Sequence, residues 1–382
     1  MESSSPAAPN DIPTGAPFDA WRLRPLAPSE FAVLGREEQL QYLAALALVA
    51  PTTHNTVPQR MRSDTGRMAL HFALDRRAIL PQSDASGRQA AVSLGAAIAN
   101  AWIAAEVCGF RPTLALEADA ESFIRPGRDG EAAIVPVATL VLENANAAAP
   151  SRDASWVTAM LRRKMVRAEF DERVRLEASL ASELAAITSR IHPGLTLHLI
   201  TDAPTLLALG KFQELADSTV INRAPFAREL AEWLVENESD GPVGMRGREF
   251  GLSDDSARRF HDGLAGAGPL LPDETVAFAK AGNLGMRSSS AVMVVTVARD
   301  DLEHRLAAGR AFEEMALRLT IGEMCVAMHA GITEVEAPNL ALRGRLRTFQ
   351  RPTVVFRAGR PLRSADGDRP HSARPRLRDV GF

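Results

Sequence analysis

The run Ala50-Pro-Thr-Thr-His-Asn-Thr-Val-Pro-Gln59 interrupts a helical pattern with a proline and follows it with hydroxyl, imidazole and amide side chains. Upstream, Leu40, Leu43, Ala44 and Ala47 recur on one helical stripe, and Pro51 stops the helix because it supplies no backbone N–H. Downstream, residues 68–74 alternate as a strand. A helix broken into a polar turn that leads into a strand can hold a flat polar ligand. Far along the chain, Arg162-Arg-Lys-Met-Val-Arg-Ala-Glu-Phe170 gathers four cations within six positions, a run suited to negative charge.

Working outward, residues 88–107 are apolar nearly all round, as in a helix buried on most faces, and Gly109 is placed to end it in a left-handed cap. Residues 113–116 and 134–142 read as strands, the second Val/Ile/Leu-rich like an internal strand. A polar, alanine-rich connector at 143–152 marks a boundary. Beyond it the pattern predicts helices over 156–166 and 173–191, a strand over 195–200, a helix over 225–235 and a strand over 290–297. Residues 241–285 show no clear period, reading either as a lid or as an irregular surface excursion. Gly95 to Gly109 and Gly309 to Gly322 each begin with a small-residue helical segment and end on glycine, a spacing that either a repeat or coincidence produces.

Both polar segments resemble the nitroreductase superfamily, and within it the fused-subunit, Acg-like branch of flavin mononucleotide (FMN) proteins. That branch carries a motif close to Ala-Pro-Ser-Ser-His-Asn-Thr-Gln-Pro-Trp. Ala50, Pro51, His54, Asn55, Thr56 and Pro58 match it, and Thr52 and Thr53 keep the hydroxyls. Val57 and Gln59 replace the usual glutamine and tryptophan. The family's phosphate motif, near Arg-x-Thr-x-Arg-x-x-Phe, is matched by Arg163, Arg167 and Phe170, with Met165 in place of the hydroxyl residue. The closing Pro-Arg-Arg-Pro-Leu-x-x-Val is echoed by Arg374 and Val380, with Pro375 and Arg376 exchanged in order.

The resemblance implies an α+β, nitroreductase-like fold: two degenerate subunit-like halves fused around mixed or antiparallel sheets with buried central helices. Composition gives a disordered tail at 1–18 and the connector divides the rest into halves at 19–148 and 149–382, with a C-terminal arm at 352–382 wrapping back. One complete FMN site would lie between the halves, because each motif occurs once. The implied cofactor-binding residues are Thr52, Thr53, His54, Asn55, Arg163, Lys164, Arg167, Arg374 and Arg376. No catalytic side chain is implied, since the chemistry sits at the flavin N5.

Taken alone, these residues have plainer readings. Thr and Asn satisfy loose backbone groups at helix ends, and Arg/Lys runs on a helix are usually solvated. Arg163 and Arg167, four apart, are expected on one helical face. The chain has 382 residues, 46% hydrophobic and 24% charged, with a net charge of −3, which argues against a generally basic nucleic-acid binder. Residues 343–378 hold eleven arginines against two acids, but only Phe349 and Phe356 are interleaved for base stacking. The two cysteines, Cys108 and Cys325, lack metal or redox spacing and read as buried thiols. The start of the chain has no basic and apolar leader, and no uninterrupted apolar run reaches the about 18–20 residues of a membrane span. The default expectation is cytoplasmic.

The leading expectation is an FMN-dependent oxidoreductase, supplied by NAD(P)H or another donor and passing hydride to a small electron-poor acceptor. The chain would act as a monomer that is its own pseudo-dimer. A second reading, favoured by Val57 and Gln59, is a protein that binds or sequesters FMN without turnover. A third is a flavin-free scaffold with a basic nucleic-acid-binding arm.

Overall fold

The computed structural model describes residues 21, 23–127, 131–145, 152–268 and 272–382. The expected tail at 1–18 and residues 146–151 of the connector lie outside the described residues. The first part of the chain forms α1 (Pro28–Ala32), α2 (Arg36–Leu48), β1 (Gln59–Asp64), β2 (Ala69–Asp75), α3 (Arg88–Val107), β3 (Phe110–Leu116) and β4 (Ile134–Asn144). Next come α4 (Ser155–Arg162), α5 (Ala178–Ile191), β5 (Leu195–Ile200), α6 (Ala203–Ile221), α7 (Ala224–Trp233), β6 (Leu234–Val235) and β7 (Met245–Arg246). The chain continues through α8 (Asp254–Ala265), α9 (Pro272–Arg287), β8 (Ala291–Val297), α10 (Leu302–Ile321) and β9 (Cys325–Met328). It closes with α11 (Gly331–Glu334), α12 (Glu336–Leu346), β10 (Arg351–Gly359) and α13 (Ser364–Gly367).

Two four-stranded sheets share one topology. The first is ordered β1-β2-β4-β3 and the second β5-β8-β10-β9, with antiparallel neighbours throughout. In each, a helix precedes the first strand and a long helix joins the second strand to the third. The second copy differs by insertions: α6 to α9 stand between β5 and β8, where the first copy has only a tight turn, and α11–α12 stand between β9 and β10. The fold is therefore α+β with two degenerate halves.

The halves meet on their long helices. Gly95 of α3 and Gly309 of α10 are each the eighth residue of a twenty-residue helix. A Cβ added at Gly95 would run into the carbonyl of Leu306, and one at Gly309 into that of Val92. Each glycine thus admits the backbone one turn before the other's glycine, a reciprocal contact only residues without side chains permit. Leu302 and Leu306 of α10 join the first hydrophobic core, while Val92 of α3 joins the second. At the rim of the contact Arg88 pairs with Asp300 at 2.8 Å and Glu334 at 2.6 Å. Helix α3 is long and apolar enough to cross a membrane, but it is buried within the protein.

Four expectations need correcting. Helix α4 ends at Arg162, so Arg163 and Arg167 lie on an extended segment whose Met165 bridges to Val326 of β9. The stretch 241–285 is not irregular, because α8 and α9 occupy much of it among the described residues. Helix α6 appears where no element is expected. The arm does not begin at 352: β10 fills residues 351–359 as an inner strand paired on both sides.

Candidate functional site

The site begins at the C-terminal end of α2. The last carbonyls of a helix lack intrahelical partners and carry partial negative charge. Here two arginines from the other half meet them. Arg163 donates Nη2 to Val49 O at 2.8 Å, and Arg374 donates Nε to Leu48 O and Nη2 to Ala50 O, both at 2.9 Å. Arg163 also pairs through Nε with Glu313 of α10 at 3.0 Å, with both side chains almost wholly buried. Burial pushes the Glu313 carboxyl up, and the Arg163 cation opposes that.

After α2 the chain turns through residues 51–58 in a backbone that departs from ordinary loops. His54, Asn55 and Val57 all have positive φ, at 48°, 53° and 48°. For the β-branched Val57 this is an outlier, held because the side chain is buried and its N–H donates to Thr52 Oγ1 at 3.2 Å. The buried Asn55 amide is fully used. Its Oδ1 accepts from Arg374 Nη1 at 2.6 Å, and its Nδ2 donates to Gly244 O at 3.0 Å and Ala373 O at 3.2 Å. Gly244, with φ 83°, returns its N–H to Asn55 O at 3.0 Å. Residues 244–250 of the insertion thereby cross the mouth of the turn.

Between the turn, the 163–167 segment, this crossing and residues 369–374 lies a cavity of about 70 Å³. Thr52, Asn55, Arg163, Lys164, Arg167 and Arg374 line it, so six of the nine expected residues converge although they come from both halves. Three do not. Thr53 and His54 are not among the residues that line it, and Arg376 lies on a separate groove against α2, paired with Asp379 at 2.7 Å. Sequence reasoning missed Trp21, Met245, Glu249, Arg369, His371 and Ser372 in the lining.

Among the described lining residues, Arg163, Lys164, Arg167, Arg369 and Arg374 oppose a single carboxylate, Glu249. The effect registers on the histidines. His371, stacked on Trp21 at 4.0 Å, is lowered to about 3 by burial and then by Lys164, Arg163 and Arg374. His54 is lowered to about 4 by burial and then by Arg167, so it is neutral at physiological pH and adds no cation. Arg374 is itself lowered to about 9 by burial and by Arg163.

The cations differ in how free they are. Arg374 spends its donors on Leu48, Val49, Ala50, Asn55, Ser372 and Ala373. Arg369 pairs with Asp366, and Lys164 donates once, to Gly367 O at 2.9 Å. Arg167 has no hydrogen bond or ion pair among the described residues; its guanidinium lies 4.7 Å over the Phe250 ring and opens through the cavity to solvent. No cluster of metal-ligating side chains occurs among the described residues. The arginines of 343–378 are dispersed, with Arg357 buried and Arg345, Arg351, Arg360 and Arg369 tied to Thr205, Asp300, Glu323 and Asp366.

No protein-family model and no curated protein matches this sequence. Similar solved structures include an FMN- and NADPH-dependent nitroreductase, NfnB, from Sphigopyxis sp. strain HMH, at 17% identity and TM-score 0.38, covering 59% of this chain and 97% of that one. The FMN-dependent nitroreductase NfnB from Mycobacterium smegmatis, in complex with NADPH, is similar at 13% identity and TM-score 0.39, over 60% and 98% of the two chains. A putative nitroreductase from Anabaena variabilis spans 77% of this chain and 69% of its own, at 11% identity and TM-score 0.40.

Proposed function

We propose that this chain is an FMN-dependent oxidoreductase of the nitroreductase type, a monomer whose one flavin site lies between its two halves. The observation that carries this reading is the convergence of the Thr52–Asn55 turn from one half and the Arg163–Arg167 segment from the other on a single cation-rich cavity. The donor set fits the phosphate end of the cofactor: Arg167 is free, Lys164 nearly so, and Arg163 and Arg374 add field from behind. Ring-sized ligands occupy pockets of about 300 Å³ or more. The cavity of about 70 Å³ therefore seats one end only, and residues 244–250 must draw back from Asn55 to admit the rest.

A bound flavin would supply hydride transfer to a small electron-poor acceptor, with NAD(P)H as donor. The chain's own work is to bind and orient. Asn55, once released from Gly244, offers an N–H donor to a polar ring edge while its Oδ1 stays with Arg374, and Thr52 lines the same cavity. The test is the visible spectrum of purified protein incubated with FMN, before and after NADH or NADPH. Yellow colour that bleaches with the nicotinamide and returns with an acceptor is expected; no flavin uptake, even on refolding with excess FMN, sinks the reading.

One observation favours the second reading, a flavin-holding protein without turnover. The Asn55–Gly244–Arg374 closure covers the mouth through which a substrate must pass. Bound flavin that stays oxidised under excess NADH and NADPH would establish it.

A further inference from the structure

We propose that Glu249 is a built-in counter-anion of the cation cluster, so that this site admits a dianionic phosphate monoester and refuses monoanions. The proposal rests on the anion-binding part of the reading above and requires no flavin ring. Glu249 sits on the short turn Gly247–Phe250 of the insertion. It is 8% exposed, lines the cavity and is its only carboxylate among the described residues. Its two oxygens are unequally served: Oε2 accepts from Ser372 Oγ at 2.7 Å, while Oε1 is buried without a hydrogen bond, with Arg246 Nη1 at 3.8 Å.

Arg246 cannot close further, because its Nε and Nη2 are held by the carbonyls of Ser239 and Gly241. Across the cavity Arg167 has no ion pair, and its strongest attraction is the field of the same Glu249. A half-satisfied buried carboxylate and a guanidinium without an ion pair thus line the same cavity. Burying the Glu249 oxygen without a partner is costly, and an anion held by Arg167 and Lys164 in its place relieves that cost.

The exchange explains the selectivity. A monoanion that displaces Glu249 brings only the charge it removes, so the exchange gains nothing. A phosphate monoester brings nearly two charges and three strong acceptors, enough for Arg167, Lys164 and Ser372 together.

Methyl phosphate and dimethyl phosphate differ by one charge at nearly the same shape, and calorimetric titration of the full chain above pH 7.5 compares them. Wild type should bind the monoester and not the diester. Glu249→Gln should bind the monoester about ten-fold tighter and begin to bind the diester, Glu249→Asp should stay close to wild type, and Arg167→Ala should weaken the monoester about ten-fold. Glu249→Ala, which removes the same charge, should likewise tighten the monoester and serves if Glu249→Gln does not fold. Equal or weaker monoester binding in the folded variants, or diester binding by wild type, overturns the proposal. FMN and riboflavin form a separate arm. Monoester behaviour as expected with no extra affinity for FMN removes the flavin reading and leaves Glu249 standing; FMN binding unchanged by Glu249→Gln does the reverse.

Discussion

Arg163 illustrates how one side chain serves fold and site together. Its Nε binds the buried Glu313 and its Nη2 caps α2, so it is neither a solvated surface arginine nor a free phosphate ligand. Replacing it with methionine strands the Glu313 charge, at a cost of about 3–5 kcal/mol in urea unfolding, and adding Glu313→Gln should recover a large part of that. If the double variant is no more stable than the single, the pair is not what holds this region. Asp217 makes a second case. It is buried on α6, where among the described residues only Gln213 Nε2 donates to it, at 2.7 Å, and burial raises its carboxyl to about 7. The folded state therefore holds the proton more tightly than the unfolded chain, so its stabilising share is complete below the unfolded value near 4 and is lost as pH rises through about 7. Wild type should lose on the order of 2–4 kcal/mol relative to Asp217→Asn between pH 4 and 8, read from paired melting curves. At this scale, motif positions led to the cavity, but Glu249 and Arg369 were illegible. The meaning of Glu249 arises only when the insertion folds back over a turn almost two hundred residues earlier, and that of Arg369 when the C-terminal stretch crosses to the same cavity.

The helix pair α3 and α10 sets the geometry on which the site depends, since α10 carries Glu313 and α3 packs against α2. Gly95→Ala and Gly309→Ala each place a methyl against a backbone carbonyl, which cannot swing aside as a side chain can. Each should cost about 3 kcal/mol in thermal or urea unfolding, and the two together less than the sum, because the first displacement makes room for the second. Full additivity would mean that the helices do not share this contact. Helix α3 could be read from sequence with its bounds correct, since an all-round apolar run of that length has few other solutions. Helix α6 could not: its inner face buries Gln213 and Asp217 while Leu207 and Leu215 stand 43% and 52% exposed, which erases the stripe. Strand β10 was hidden differently. Arg351, Pro352 and Arg357 frame its apolar centre and suggest a solvated arm, whereas Arg357 is 1% exposed and donates to the carbonyls of Val166 and Ala168.

The duplicated topology makes the two corners after α2 and α5 equivalent positions, yet they have diverged. The first is a long turn ringed with cations. The second is only His192 to Gly194, where His192 Nδ1 accepts the Gly194 N–H at 3.0 Å and the neighbouring His304 is held by Asp301 at 2.6 Å. It has neither the length to wrap a ligand nor a cluster of arginines to attract one. The last stretch of chain completes the asymmetry, because residues 369–380 leave the second half, line the cavity and bury Val380 in the first half's core. One ligand per chain is therefore expected, and deletion of residues 369–382 should abolish it. Without Arg374 the final carbonyls of α2 lose their cap and Asn55 loses a partner. Hydrogen exchange should then rise at residues 48–57 and 244–250 while α3 and α10 stay protected, separating loss of the site from loss of the fold. A truncated chain that still binds FMN one to one would show that the arm only covers a site the rest of the molecule already completes.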